Sequence, residues 1–182
     1  SDNKVFHTFY GKVPIEQAYA FLWFRKNGHV QKMIHALKYQ SNEEIGVFFG
    51  DWVGHWLAQH HYFKEVDCIV PVPLHRKRKR KRGYNQVAKF SEKISQHLQI
   101  PYDDNILLRV SSTVTQTFKS RLERFQNVGT KFIINPNVST KYQHILLVDD
   151  VITTGATLEA CAQVLIKETN CKISILALAY TE

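Results

Sequence analysis

Two adjacent carboxylates, Asp149 and Asp150, stand just before a turn of small and hydroxyl-bearing residues, Thr153, Thr154, Gly155, Ala156 and Thr157. Upstream, residues 145–148 read Ile-Leu-Leu-Val, an unbroken apolar run that predicts a buried parallel strand. Downstream, Leu158, Cys161, Ala162, Leu165 and Ile166 fall on one face at helical spacing. The turn therefore opens a helix, where backbone N–H groups lack partners and the helix dipole is positive. Small residues let a phosphate approach those groups, and threonine hydroxyls add donors. Carboxylates repel phosphate but accept hydrogen bonds from a sugar diol. A phosphate on one side and a diol on the other describe a ribose 5-phosphate. The acid pair alone is also what an ordinary acidic loop presents; the whole stretch points to the sugar phosphate.

A second group of candidates is the run at residues 76–82, Arg-Lys-Arg-Lys-Arg-Lys-Arg. It accounts for all but one unit of the formal net charge of +8, so the basicity is local. Consecutive cations repel one another unless an anion neutralises them. Nucleic acid, held by Lys77, Arg78, Lys79, Arg80 and Lys81, is one such anion, and its binding would weaken steeply with salt. A solvated basic loop is the other reading, and the sequence leaves both open. His55, His60 and His61 read as helix-surface or capping residues, and no metal-ligand set is expected. Cys68, Cys161 and Cys171 are widely spaced, with neither a Cys-x-x-Cys pair nor a disulfide framework. Buried thiols in a reducing cytoplasm are the expectation.

The elements that position these groups can be read in outline. The 182 residues are 44% apolar, enough for one domain with a core, and no run approaches the roughly 20 apolar residues needed to span a bilayer. No secretory leader or membrane insertion is expected. Residues 4–24 are aromatic-rich without a clean period; part of them reads as strand. Val30, Met33, Ile34 and Leu37 predict a short helix ending at Lys38 and Tyr39. A second helix follows, capped by Ser41 or Asn42, with Ile45, Phe48, Phe49, Trp52, Val53 and Trp56 as its buried face. Residues 66–72 predict a strand, and Val87, Phe90, Ile94 and Leu98 a helix ending near Pro101. Residues 106–109 and 131–134 read as short strands, and residues 172–179 as a closing buried strand. Residues 110–127, polar and weakly periodic, predict a long loop, of a length that in compact domains is usually functional or disordered. Strand and helix alternate from residue 66, which argues for an α/β domain with a parallel sheet and its ligand at the carboxyl ends of the strands.

With these segments in place, the stretch around Asp149 resembles the signature by which type I phosphoribosyltransferases bind phosphoribosyl pyrophosphate (PRPP). A narrower resemblance adds Pro71-Val72-Pro73-Leu74-His75, Arg82-Gly83-Tyr84-Asn85-Gln86, Arg109, Thr115-Gln116, Arg124 and Asn127-Val128. Together with Leu37-Lys38-Tyr39, these are similar to the ComF/GntX family, phosphoribosyltransferase-like proteins associated with natural competence. The resemblance implies a type I phosphoribosyltransferase-like fold: a parallel central sheet flanked by helices, with an N-terminal helical hood region at residues 1–62 packed on a PRPP-binding core at 63–182. It implies that Asp149 and Asp150 grip the ribose hydroxyls and serve catalysis, and that residues 153–157 cradle the 5′-phosphate. Arg76 and Arg82 become candidates for the leaving pyrophosphate, because guanidinium forks match phosphate oxygens. Lys119, Arg121 and Arg124 would be the cations of a closing lid, or Arg124 would pin that loop by a salt bridge.

The implied reaction is Mg²⁺-dependent displacement of pyrophosphate from PRPP by an unknown nitrogen acceptor, with the ion held mainly through PRPP. Thr153 stands where some relatives place an acid acting on a purine, which disfavours a hypoxanthine-type acceptor. The alternative is a non-catalytic PRPP or nucleotide sensor that binds single-stranded DNA or competence proteins. An oligomer is compatible with either. Family members commonly begin with a four-cysteine zinc-binding segment; this sequence carries none.

Overall fold

The computed structural model describes residues 3–25, 28–39, 43–74, 80, 83–110, 131–138 and 141–181. Four parallel strands form its centre: β1 (Gln17–Phe24), β2 (Cys68–Pro71), β5 (His144–Ile152) and β6 (Lys172–Thr181), in the order β1-β6-β5-β2. Two further strands, β3 (Leu107–Val110) and β4 (Lys131–Ile134), pair antiparallel in a small second sheet. The helices are α1 (Lys4–His7), α2 (His29–Tyr39), α3 (Glu43–Gln59), α4 (Gln86–Leu98) and α5 (Ala156–Thr169). The first 62 residues thus supply an edge strand and a flanking helix to the same sheet as the rest.

Strand β5 has an apolar core on both sides. Ile145 and Leu147 pack with Leu158, Cys161 and Leu165 of α5, with Phe9 near the front, and with Leu107 and Phe132 of the small sheet. Leu146 and Val148 pack with Phe49 and Val53 of α3 and Phe90 and Ile94 of α4. Burial on two faces is why residues 145–148 show an unbroken apolar run instead of alternation. All three cysteines are buried free thiols. Burial is the leading cause that pushes Cys68 up to about 12 and also raises Cys161 and Cys171, so none is a ready thiolate.

Helix α3 corrects the sequence expectation. It buries Gly46, Phe49, Gly50, Val53, Gly54 and Leu57, while Phe48 stays 62% and Trp52 49% exposed. Glycine at every fourth position makes one flat stripe, and α4 lies against it. A Cβ on Gly50 would sit 2.6 Å from Lys93 Cβ and 2.8 Å from Phe90 O; one on Gly54 would sit 2.8 Å from His97 Cδ2. The helix has one inner face, and close backbone approach takes it from the larger aromatics. Phe21 on β1 meets Trp52 and Trp56 edge-on at 4.9 and 5.8 Å, so these rings are capped at the sheet margin. The expected caps at Ser41 and Asn42 lie outside the described residues. Gly50→Ala is expected to destabilise the protein by about 1–3 kcal/mol from overpacking, against at most about 1 kcal/mol of gained helix propensity. Phe48→Ser is expected to stay within about 0.5 kcal/mol. Urea unfolding of the two variants compares them directly.

Candidate functional site

Strand β5 continues past its apolar run to Ile152, so both acids stand within the strand. Neighbouring strand residues project to opposite faces. Asp150 turns towards α4, where Gln86 Nε2 donates to its Oδ2 at 3.0 Å; both residues are 6% exposed. Asp149 is less buried and lies on the α5 side, where its charge adds to the burial that raises the Cys161 thiol, while Arg109 opposes it. Its Oδ1 accepts the Asp150 N–H at 2.8 Å, which fixes the carboxylate against its own backbone. The two acids therefore share a strand end but not a face.

The grip on Asp150 originates at the start of α4. Asn85 Oδ1 accepts from Val87 N at 3.3 Å and caps the helix, while Asn85 Nδ2 donates to Val72 O at 3.2 Å. Val72 N in turn donates to Val148 O at 2.8 Å, one residue beyond the end of β2. Asn85 and Gln86 thus tie β2, α4 and the acidic end of β5 together. Sequence reading quoted both residues but gave neither a task. Two amide side chains just before the helix predicted from Val87 were the available signal.

The turn that follows has Thr153 and Thr154 exposed and Gly155 buried. Helix α5 begins at Ala156, as the spacing predicted, and Thr157 is partly buried in its first turn. Gly155 takes φ 77°, a left-handed conformation that favours glycine. Ala156 N donates to Thr154 Oγ1 at a long 3.4 Å. Beneath the turn lies the N-terminal segment. A Cβ on Gly155 would be 2.9 Å from Thr8 Cγ2 and 3.0 Å from Phe9 Cε1, and Phe9 is fully buried. Thr8 Oγ1 lies 3.3 Å from Tyr180 Oη, which links the same floor to β6. No local pattern in residues 4–24 announces this contact, because its partner lies at the other end of the chain.

The basic candidates are placed in part. The segment that contains them leaves β2 at the same end of the sheet as the acids, since β2 and β5 are parallel neighbours. Arg80 is exposed. Arg76, Lys77, Arg78, Lys79, Lys81 and Arg82 lie outside the described residues, as do Lys119, Arg121 and Arg124 and with them the expected lid. Arg109, on β3, lies over the Phe132 ring at 5.3 Å. Among the described residues, no cluster of three or more His, Cys, Asp or Glu side chains is arranged to hold a metal. None of their helices is long and apolar enough to cross a membrane.

Residues 88–182 match the family described as phosphoribosyl transferase domain. Competence protein F of Haemophilus influenzae is 41% identical over 59% of this chain and 47% of its own length. DNA utilization protein YhgH of Escherichia coli is 33% identical over 63% of this chain and 50% of its own length. The matched stretch thus spans about half the length of these relatives. Among solved structures, glutamine PRPP amidotransferase from B. subtilis, complexed with ADP and GMP, superposes with a TM-score of 0.51. That likeness covers 79% of this chain and 30% of the other at 19% identity, and it concerns the fold.

Proposed function

Because the chain belongs to the phosphoribosyl transferase domain family, with competence proteins among its relatives, we propose that it binds PRPP at the carboxyl end of β5. One observation carries this reading: a carboxylate-bearing strand end runs into a glycine turn that opens a helix, with a buried floor under the glycine. Asp149, the more exposed acid, accepts hydrogen bonds from the ribose hydroxyls. Asp150, held by Gln86, sets the position of that strand end. Thr153, Thr154 and the first amides of α5 hold the 5′-phosphate.

The reaction proposed is displacement at C1 of the sugar. A nitrogen lone pair of the acceptor forms the N–C1 bond while the C1–O bond breaks. Pyrophosphate leaves with the electron pair, and the acceptor's proton passes to solvent. Positive charge grows on the ring, and the fixed negative charge of Asp149 favours it. Mg²⁺ fits the oxygen donors available, Asp149 together with the phosphates, and would supply neutralisation of the leaving pyrophosphate. The described residues offer no protein cage for the ion, so it would arrive with PRPP. Arg76 and Arg82 are proposed for the pyrophosphate, and Lys119 and Arg124 for closure over it.

Calorimetric titration with Mg·PRPP tests the binding step. Saturable binding is expected, reduced at least about tenfold, roughly 1.4 kcal/mol, in Asp149→Asn. Equal affinity in the two proteins would overturn the placement. Pyrophosphate release with a panel of nitrogenous bases then separates enzyme from sensor: tight binding with no release from any base selects the sensor.

The run at residues 76–82 favours a second activity, contact with single-stranded DNA, since so many adjacent cations call for a polyanion. Glutamine at 77–81 is expected to weaken DNA binding and flatten its salt dependence while PRPP affinity stays unchanged. Unchanged DNA affinity would remove this reading.

A further inference from the structure

The sheet has a second end. The segments that enter β2, β5 and β6 line an open cavity of 620 Å³ at the amino ends of the strands. Nine residues of β5, rising about 3.3 Å each, put it roughly 25 Å from the glycine turn. It is a separate place in the molecule, and nothing in the proposed reaction uses it.

Its walls are fixed by hydrogen bonds. Asp67 Oδ2 accepts from Gln143 N at 2.7 Å, and Asp67 Oδ1 accepts from His144 N at 3.1 Å. Asp67 N donates to His144 O at 2.9 Å, and Lys172 N donates to Gln143 O at 2.8 Å. Both Asp67 oxygens are therefore committed to the backbone that shapes the cavity. The other charged groups on the lining are Glu65, Lys141 and Lys172, so with Asp67 it carries two charges of each sign, and Glu16 also acts on the His144 ring. Lys141 and Lys172 are exposed, so their ammonium groups can swing over the opening.

His144 also lines this cavity and is 6% exposed. Its Nε2 lies 2.9 Å from Ser174 Oγ, a fully buried hydroxyl. Its Nδ1 is buried and has no hydrogen-bond partner in the protein. Burial is the leading cause that lowers the His144 pKa, so the ring is neutral around pH 7 and carries one N–H. In the tautomer in which the serine hydroxyl donates to Nε2, Nδ1 carries that proton and needs an acceptor. An unsatisfied buried group costs about 1–3 kcal/mol, and native structures hold few of them.

We propose that this cavity is a second ligand site, for a small oxyanion such as a phosphate or carboxylate, with His144 Nδ1–H as the inner donor and Lys141 and Lys172 as outer cations. The acid on the rim, Glu65, disfavours highly charged polyphosphates and selects a small anion. Such a site answers to an anion without competing for the glycine turn.

Inorganic phosphate is the probe, followed by NMR on the His144 ring and the Gln143 amide. Thr154→Asp places a negative charge on the exposed turn and silences phosphate binding there. In that chain, phosphate is expected still to shift the His144 ring signals saturably. Adding Lys141→Glu and Lys172→Glu is expected to weaken this response at least about tenfold. With Thr154 intact, the two lysine changes are expected to leave Mg·PRPP affinity within about twofold. Acetate repeats the titration and tells carboxylate from phosphate selectivity, a saturable response to either upholding the oxyanion site. A response that disappears with Thr154→Asp, or that ignores both lysines, would overturn the proposal. So would a bound water on Nδ1 that phosphate does not displace. A failure here leaves PRPP binding at the turn untouched, and the converse holds as well.

Discussion

Gly155→Ala is expected to loosen the fold and to empty the phosphate turn together. The left-handed φ of 77° costs an L-residue about 1–2 kcal/mol. The added methyl meets Thr8 Cγ2 at 2.9 Å and Phe9 Cε1 at 3.0 Å, an overpacking of about 1–3 kcal/mol. Together these are a large part of the 5–15 kcal/mol typical of a domain. For a chain of this size the midpoint of thermal unfolding should fall by roughly 5–15 °C. PRPP affinity should fall at least about tenfold even where the protein is folded, because the amides of α5 would move off the phosphate. Phe9→Leu in the same chain relieves the ring contact but not the Thr8 contact or the φ, so it should restore part of the stability and little of the affinity. A Gly155→Ala protein with wild-type unfolding would show that the floor is not tight.

The second large effect concerns Gln86. Gln86→Leu keeps the shape but removes the donor to a buried carboxylate, and hydrogen bonds to charged groups contribute about 1.5–3 kcal/mol. The protein should lose that stability, and PRPP binding should weaken about tenfold through a strand end no longer held. Asp150→Asn in the Gln86→Leu background removes the charge that lost the glutamine N–H. Stability should therefore recover while binding does not. A merely structural glutamine would recover both. Strict additivity of the two changes in a double-mutant cycle would show that the pair is not coupled.

How much of this was legible in the sequence follows from how far each interaction reaches along the chain. The run at 145–148, the helix face from Leu158 to Ile166 and the glycine turn are local, and the structure has β5, α5 and the turn where their periodicities put them. The short strand at 131–134 was also placed, but its antiparallel pairing with β3 outside the main sheet was not, because register between strands has no local signature. In α3 the aromatics outweighed the glycines in a hydrophobic reading, yet steric fit against Phe90 and Lys93 decides which face is inside. Phe9 beneath Gly155 and Gln86 on Asp150 are contacts between distant segments. The acid pair, read as one grip, is split by the two-residue repeat of the strand that carries it.

The strand order has a consequence for assembly. Strand β1 pairs with β6, Gln17 opposite Ser174 and Phe24 opposite Thr181. Strand β1 must therefore wait for residues 174–181 to leave the ribosome before it finds its neighbour. Contacts that far apart in sequence slow folding. Until then its eight uncharged residues, Gln-Ala-Tyr-Ala-Phe-Leu-Trp-Phe, remain a sticky segment that a chaperone would be well placed to shield during translation.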